Sequence, residues 1–268
     1  MKHEVFFRAH PVFSGDELAD YLSRSGEVGP RAKEALLAYH RRTGRIVRIR
    51  RGVYAVIPRG SDVDSYPVDP FLIASKLTTD AFLSYHTALE FYGRAYSVHE
   101  YFTYSASRPL PRFTFRSHVF RGTKFPSRLV QTSNEYFGVT TSERGGLMVR
   151  VATLERSMVD MLDRPELAAS WEEIWRSLES IEFFNLDQII AYARLLGNAT
   201  TAAKVGFFLD QHREALLVDD HHLHELRELR PRQPHYLDRS NRGPGVFVPE
   251  WNLVIPEQVL NRGWDELL

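Results

Sequence analysis

Apolar and polar positions along this chain follow two periods in turn, and the changes of period mark out its elements. Ser14-Gly15-Asp16-Glu17 sets a hydroxyl three residues ahead of a glutamate, the capping-box signature of a helix start. Leu18, Tyr21 and Leu22 follow at helical spacing, with Asp20 and Arg24 as an i,i+4 ion pair in the favourable order. Gly26 to Gly29 interrupts this helix, and Pro30, well tolerated at a first helical position, opens a second. The spacing predicts an apolar face of Ala32, Ala35, Leu36 and Tyr39, with Arg31, Lys33, His40 and Arg41 on or near the open face and Gly44 as the stop. From Arg45 to Pro58 the pattern is β-rich. Two strands are expected, joined at Arg50-Arg51-Gly52, where glycine supplies the positive φ of a tight hairpin. Val47 and Ile49 would face inward and Arg48 and Arg50 outward.

Ser61 to Pro70 is polar, carries two prolines and reads as a linker, so the expected domains are 1–60 and 61–268. Beyond it, helical patterns cover about 70–78 and 84–92. Stretches rich in β-formers follow at 99–105, 112–120 and 129–132, with more within 136–151. From 153 the chain turns helical, over about 153–163, 167–180, 186–196 and 200–216, with a weaker segment near 220–229. Strands followed by helices predict a mixed α+β domain with a helical C-terminal half. The tail after about 230, with Trp251 and Trp264, matches no pattern, and no internal repeat is visible.

Charge sharpens the reading of the first sixty residues. The 268-residue chain is neutral overall, yet residues 1–60 hold 12 basic and 6 acidic side chains, leaving 22 and 28 in the rest. Nine of the basic ones fall between Arg24 and Arg51, against Glu27 and Glu34 alone. Helix, turn, helix and basic hairpin is the order of a winged helix-turn-helix. A helix fits the major groove of DNA, and arginines on helix and wing neutralise phosphates. Arg31, Lys33, His40 and Arg41 would present from the second helix, with Arg42 and Arg45 following it to the backbone and Arg48, Arg50 and Arg51 forming the wing. The bland alternative is a helix-hairpin domain whose arginines solubilise it or bind a protein. Zero cysteines exclude disulfides and thiolate chemistry, and no apolar run is long enough for a membrane span. No secretory signal is read at the N-terminus, and a cytoplasmic protein is expected.

These segments carry a resemblance. Val12-Phe13-Ser14 through Arg48-Ile49-Arg50-Arg51-Gly52-Val53-Tyr54 resembles the N-terminal winged helix of AbiEi-family antitoxins. Leu83-Ser84-Tyr85-His86-Thr87-Ala88-Leu89-Glu90-Phe91-Tyr92-Gly93 is similar to that family's helix ending in glycine. Val151-Ala152-Thr153-Leu154-Glu155-Arg156-Ser157-Met158-Val159-Asp160-Met161-Leu162 is similar to a later one. The resemblance covers about 1–215. It implies a transcriptional repressor, the antitoxin of a type IV toxin–antitoxin operon, which binds inverted repeats in its own promoter. It also implies a nucleotidyltransferase-like toxin as functional partner, opposed without a stable complex. A palindromic operator would take two modules, as a weak dimer or as monomers loading cooperatively.

Other constellations read as structural. His86 and Glu90 share a helix face at i,i+4, as metal ligands can, but without a second motif. Asp219-Asp220-His221-His222-Leu223-His224 is rich in ligand types yet reads as an exposed helix start with acidic residues at its N-terminus. Glu143, Glu155, Asp160 and Asp163 could form a nuclease carboxylate set, although Asp160 sits among Met158, Val159, Met161 and Leu162. Tyr101, Phe102, Tyr104, Phe113, Phe115 and Phe120 alternate with polar residues; a sheet core is the default and a base-stacking platform the alternative. Neither a glycine-rich phosphate loop nor a Gly-x-Ser-x-Gly elbow occurs, so no enzyme, metal or cofactor is expected. Two further functions stay open: a regulator whose α+β domain senses a small molecule, and a DNA-modifying enzyme using a carboxylate such as Asp160 or Glu143.

Overall fold

Helix α1 (Glu4–Ala9) and strand β1 (Val12–Ser14) precede the expected capping box, and the box forms. Ser14 Oγ accepts from the Glu17 amide at 3.1 Å, and Glu17 Oε2 accepts from the Ser14 amide at 2.8 Å, starting α2 (Gly15–Arg24). The structure, a computed structural model, describes residues 3–26, 30–239 and 242–264. The break expected over Gly26–Gly29 falls, beyond Gly26, outside the described residues. Next come α3 (Pro30–Arg42), β2 (Ile46–Arg50) and β3 (Val53–Val56), with Gly52 at φ +83° in the hairpin turn. The three strands pair antiparallel in the order β1-β3-β2, the arrangement of a winged helix. Phe6, Phe7, Phe13, Leu18, Leu22, Leu37, Ile46 and Tyr54 form its core.

Two details of this module depart from the sequence pattern. In α3 the inward stripe runs through Lys33, Leu36, Leu37 and His40, while Ala32, Ala35 and Tyr39 are exposed, Tyr39 at 54%. Leucine removes far more apolar surface from water than alanine, so Leu37 sets the helix rotation. In β2, Ile46 and Ile49 are buried, Val47 is half-buried and Arg48 is exposed. A register shift between Arg48 and Arg50 inserts one residue and breaks the alternation.

The chain divides into two compact units, and the division does not fall at residue 60. One unit comprises Met1–Leu83, Glu100–Lys124 and Thr141–Val151; the other comprises Ser84–His99, Phe125–Thr140 and Ala152–Leu268. The first unit therefore joins the winged helix to a six-stranded sheet. That sheet contains β4 (Phe82–Leu83), β5 (Tyr101–Ala106), β6 (Phe113–Phe115), β7 (His118–Lys124), β8 (Val139–Arg144) and β9 (Leu147–Ala152), in the order β6-β7-β5-β4-β9-β8. The expected linker is pinned rather than loose. Arg116 donates to the carbonyls of Val63 and Tyr66, and Asp69 caps α4 (Pro70–Ser75) while accepting from Arg144 Nε at 2.6 Å. Lys76, just past α4, pairs with Glu17 of the capping box. These ties explain why winged helix and sheet cluster as one body.

The second unit is mostly helical: α5 (His86–Phe91), α6 (Ser127–Gln131), α7 (Leu154–Asp163), α8 (Trp171–Glu179), α9 (Leu186–Leu196), α10 (Ala199–Gln211) and α11 (Asp220–Leu229). Residues 129–132, expected as β, lie in or just after α6. That helix buries Leu129 and exposes Val130, so two adjacent apolar residues mimic a strand while only one meets the core. The tail adds β10 (His235–Tyr236), β11 (Val246–Val248), β12 (Leu253–Ile255) and α12 (Glu257–Leu260), with the strands in the order β10-β12-β11. Trp251 and Trp264 enter the main core of this unit. Among the described residues no helix is long and apolar enough to cross a membrane.

Trp251 packs on the one face of α10 that lacks a side chain. A Cβ built on Gly206 would overlap the buried Trp251 ring. Alanine gains about 1 kcal/mol in helix propensity over glycine. Overpacking a closed core costs about 1–3 kcal/mol. Gly206→Ala should therefore be net destabilising, read as a lower urea midpoint; a raised midpoint would mean that Trp251 does not occupy this position.

Candidate nucleic-acid interface

A groove of about 600 Å³ runs between α3, the start of α2 and the β2–β3 hairpin. Lys33 and Arg41 reach it from α3, and Arg48 and Arg51 from the hairpin; Asp16 and Glu34 are the acidic residues on its wall. Lys33, Leu37 and Arg41 stand at i, i+4 and i+8, so Leu37 anchors the same stripe that delivers the two cations. Backbone geometry holds the other wall: the Gly15 amide donates to the Gly52 carbonyl at 2.8 Å, locking the start of α2 to the hairpin turn. Tyr54 closes the base, its ring stacked on Phe13 at 5.5 Å between centroids. Arg41, Arg48 and Arg51 are exposed, and a cationic groove of this kind suits anionic oxygens.

The nine basic residues singled out from sequence thus divide. Lys33, Arg41, Arg48 and Arg51 converge on the groove, and Arg31 and Arg42 are exposed near the two ends of α3. Arg50 is half-buried, with its guanidinium 4.8 Å from the Phe113 ring centroid on β6. His40 and Arg45 turn inward. His40 packs edge-on against Phe7 at 4.8 Å, and burial, reinforced by the nearby positive charges of His3 and Arg45, lowers its pKa. A neutral imidazole gives no ionic contact to phosphate. Arg45, with a side chain only 12% exposed, pairs with Glu4 and donates to the Ile57 carbonyl. Its role is to join α1 to the end of the hairpin rather than to face solvent. Sequence reasoning missed Gly15, Asp16 and Tyr54 as groove residues, because only the fold brings the start of α2 against the wing.

Unit by unit, charge separates further than it does along the chain. The first unit holds 20 basic and 12 acidic residues, and the second 14 and 22. The net positive charge therefore lies with the unit that contains the groove.

Elsewhere the suspected ligand sets have structural partners. His86 Nε2 lies 2.8 Å from Glu173 Oε1, and His86 Nδ1 lies 3.7 Å from Glu90 Oε2. Ser97 Oγ donates to Glu173 at 2.5 Å, and His99 stacks on His86 at 3.8 Å with 7° between the rings. Parallel stacked rings aim their lone pairs into separate planes, which one ion at about 2.0 Å from each nitrogen cannot share. His86 is instead held by the two carboxylates that flank it. Burial opposes charge on His86 and Glu173, but the hydrogen bond to Glu173 and the nearby Glu90 carboxylate raise the His86 pKa, and hydrogen bonds from His86 and Ser97 hold Glu173 at about 2. On α11, His222 Nδ1 accepts from the Asp219 amide at 3.1 Å, which leaves the Nε2 proton facing Asp187 at 3.8 Å.

Asp160 is buried and accepts from Tyr192 Oη at 2.6 Å and Arg156 Nε at 3.3 Å. Arg156 also donates to the carbonyls of Glu135 and Phe137 at 2.8 and 2.6 Å. Asp163 accepts from Asn198 and Thr201, and Glu155 from the Asn185 amide. Of the alternating aromatics, Phe102, Tyr104 and Phe120 are buried, Phe113 and Phe115 are half-buried and Tyr101 is 43% exposed.

The chain shares its fold with a mycobacterial protein. The crystal structure of the Rv2827c protein from Mycobacterium tuberculosis superposes with a TM-score of 0.59 at 18% identity, covering 95% of this chain and 89% of that one. No family model and no curated protein matches the sequence.

The inward and outward placements have different consequences for stability. Arg45→Ala should lower stability by about 1–3 kcal/mol by stranding Glu4 and the Ile57 carbonyl. Arg48→Ala, at an exposed position, should stay within about 0.5 kcal/mol of wild type; equal melts of the two variants would contradict the inward placement of Arg45. His86 is held above its ordinary 6.5, so its stabilisation is complete below that pH and fades as pH rises through the raised value. Glu173 stabilises above its ordinary 4.5 and loses this as pH falls toward about 2. Thermal melts across pH should show an alkaline decline that His86→Gln removes; an unchanged decline would place it elsewhere.

Proposed function

We propose that this protein binds duplex DNA through its N-terminal winged helix and represses transcription from its own promoter. One observation carries the reading: four cationic side chains, Lys33, Arg41, Arg48 and Arg51, converge on a single groove between α3 and the hairpin. In such a complex α3 enters the major groove with Arg31 and Arg42 exposed on it, while the hairpin cations hold phosphates. The resemblance of the 12–54, 83–93 and 151–162 segments to AbiEi-family antitoxins extends the proposal. The protein then serves as antitoxin to a nucleotidyltransferase-like toxin, with inverted repeats as the operator.

The test is a salt series of binding to DNA upstream of the gene. Affinity should fall steeply with salt, and the Arg41→Ala/Arg48→Ala/Arg51→Ala variant should reduce the slope of log K against log salt by about 2 to 3, at ~0.9 for each phosphate no longer neutralised. A wild type that binds this DNA no better than random sequence, even at low salt, would sink the repressor reading. Growth rescue on co-expression with an adjacent nucleotidyltransferase-like gene tests the antitoxin extension separately.

A further inference from the structure

A second basic stretch lies outside the winged helix but inside the same compact unit. Residues 101–124 carry five basic side chains, Arg108, Arg112, Arg116, Arg121 and Lys124, and no acidic one. Arg116 is committed to the Val63 and Tyr66 carbonyls. Arg112 and Arg121 lie together beside Tyr101, and Arg108 and Lys124 lie toward the other end of the β5–β7 pair. The Arg112 and Arg121 guanidinium groups lie 5.1 and 5.9 Å from the centroid of the exposed Tyr101 ring, and Arg121 also donates to Thr103 Oγ1 at 3.1 Å. Lys124 is paired in register with Ala106, next to Ser107 and Arg108. Arg108, Arg112 and Lys124 are all exposed.

The wing reaches this edge. Arg50 closes β2 and rests on Phe113 of β6, on the face that carries Phe102 and Phe120, whereas Arg121, with Thr103 and Tyr101, alternates to the opposite face. Edge strands often carry lysine, arginine and proline simply to discourage strand-to-strand pairing, and Pro109 and Pro111 lie just before β6. That role needs charge of either sign. Apart from Arg116 the stretch carries four cations and no carboxylate of its own, with Asp80 accepting from the Ser107 amide beside it at 2.8 Å, so its own charge is of one sign.

We infer that the β6–β7 edge is a second phosphate-binding surface, which grips the backbone of the same duplex beyond the segment held by the winged helix. This rests on the proposed DNA binding and deepens it: the site on DNA is longer than one module requires, and the added contacts are sequence-independent. The occupant is the DNA backbone, argued from the uniform positive charge of the stretch and from its place in the same compact unit as the winged helix.

Full-length protein and the Arg108→Gln/Arg112→Gln/Lys124→Gln variant would be compared on two duplexes, the minimal operator and the operator with about 10 bp, one helical turn, added on each side. These positions are exposed, so the variant should melt like wild type. On the long duplex its salt slope should be shallower by about 2 to 3, at ~0.9 for each phosphate released, with a shorter nuclease footprint. On the minimal duplex the two proteins should bind alike. Equal slopes and footprints on the long duplex would overturn the second surface while leaving the winged-helix reading intact. Failure of wild type on both duplexes would overturn both, and retention of single-stranded RNA or an acidic protein by the β6–β7 cations would then reassign the edge.

Discussion

The Glu17 carboxylate ties together separate parts of the first unit. Through Oε2 it closes the capping box on the Ser14 amide, which sets where α2 begins. Gly15 is thereby held where its amide meets the Gly52 carbonyl, fixing the hairpin turn against the helix. Through Oε1 the same carboxylate pairs with Lys76, beyond α4, on the segment that leads into the sheet. A charge-assisted hydrogen bond is about twice as strong as a neutral one, and here one carboxylate makes two. The groove has its shape because its two walls are joined at this point.

Charge is distributed to match. Arg45 is spent on Glu4 and the Ile57 carbonyl, and Arg116 on the linker carbonyls, so these cations stabilise the unit from within. Arg41, Arg48, Arg51, Arg108, Arg112 and Lys124 are exposed. The half-buried cations pin the linker and hairpin, and the exposed ones give the unit its field.

The second unit spends its ionisable groups differently. Arg156, Asp160 and Tyr192 form one buried network, and His86, Glu90, Glu173 and Ser97 another. Removing one member of a buried network leaves the others unpaired at a cost of about 3–5 kcal/mol, so such groups specify how helices α5, α7, α8 and α9 pack. The helical resemblance over 83–93 and 151–162 falls on these two networks, where His86 and Asp160 have structural partners.

The sequence by itself determined whatever depends on near neighbours. The capping box at Ser14–Glu17, the Gly52 turn and the long helices from 154 onward were legible because helical and hairpin signals act within a few residues. The α+β class followed from their order, and the concentration of arginine between 24 and 51 was plain from counting. Only the tertiary structure decided which arginines face solvent. Arg45 and Arg48 are alike in sequence, yet one meets Glu4, 41 residues away, and the other meets water. It also decided the rotation of α3, since Leu37 outweighs Ala32 and Ala35 only when a core of Phe7 and Phe13 exists to receive it. The grouping of winged helix and sheet into one unit has the same origin. Lys76 with Glu17 and Arg50 with Phe113 are long-range pairs, and a periodicity read over a dozen residues carries no information about partners more than fifty positions away.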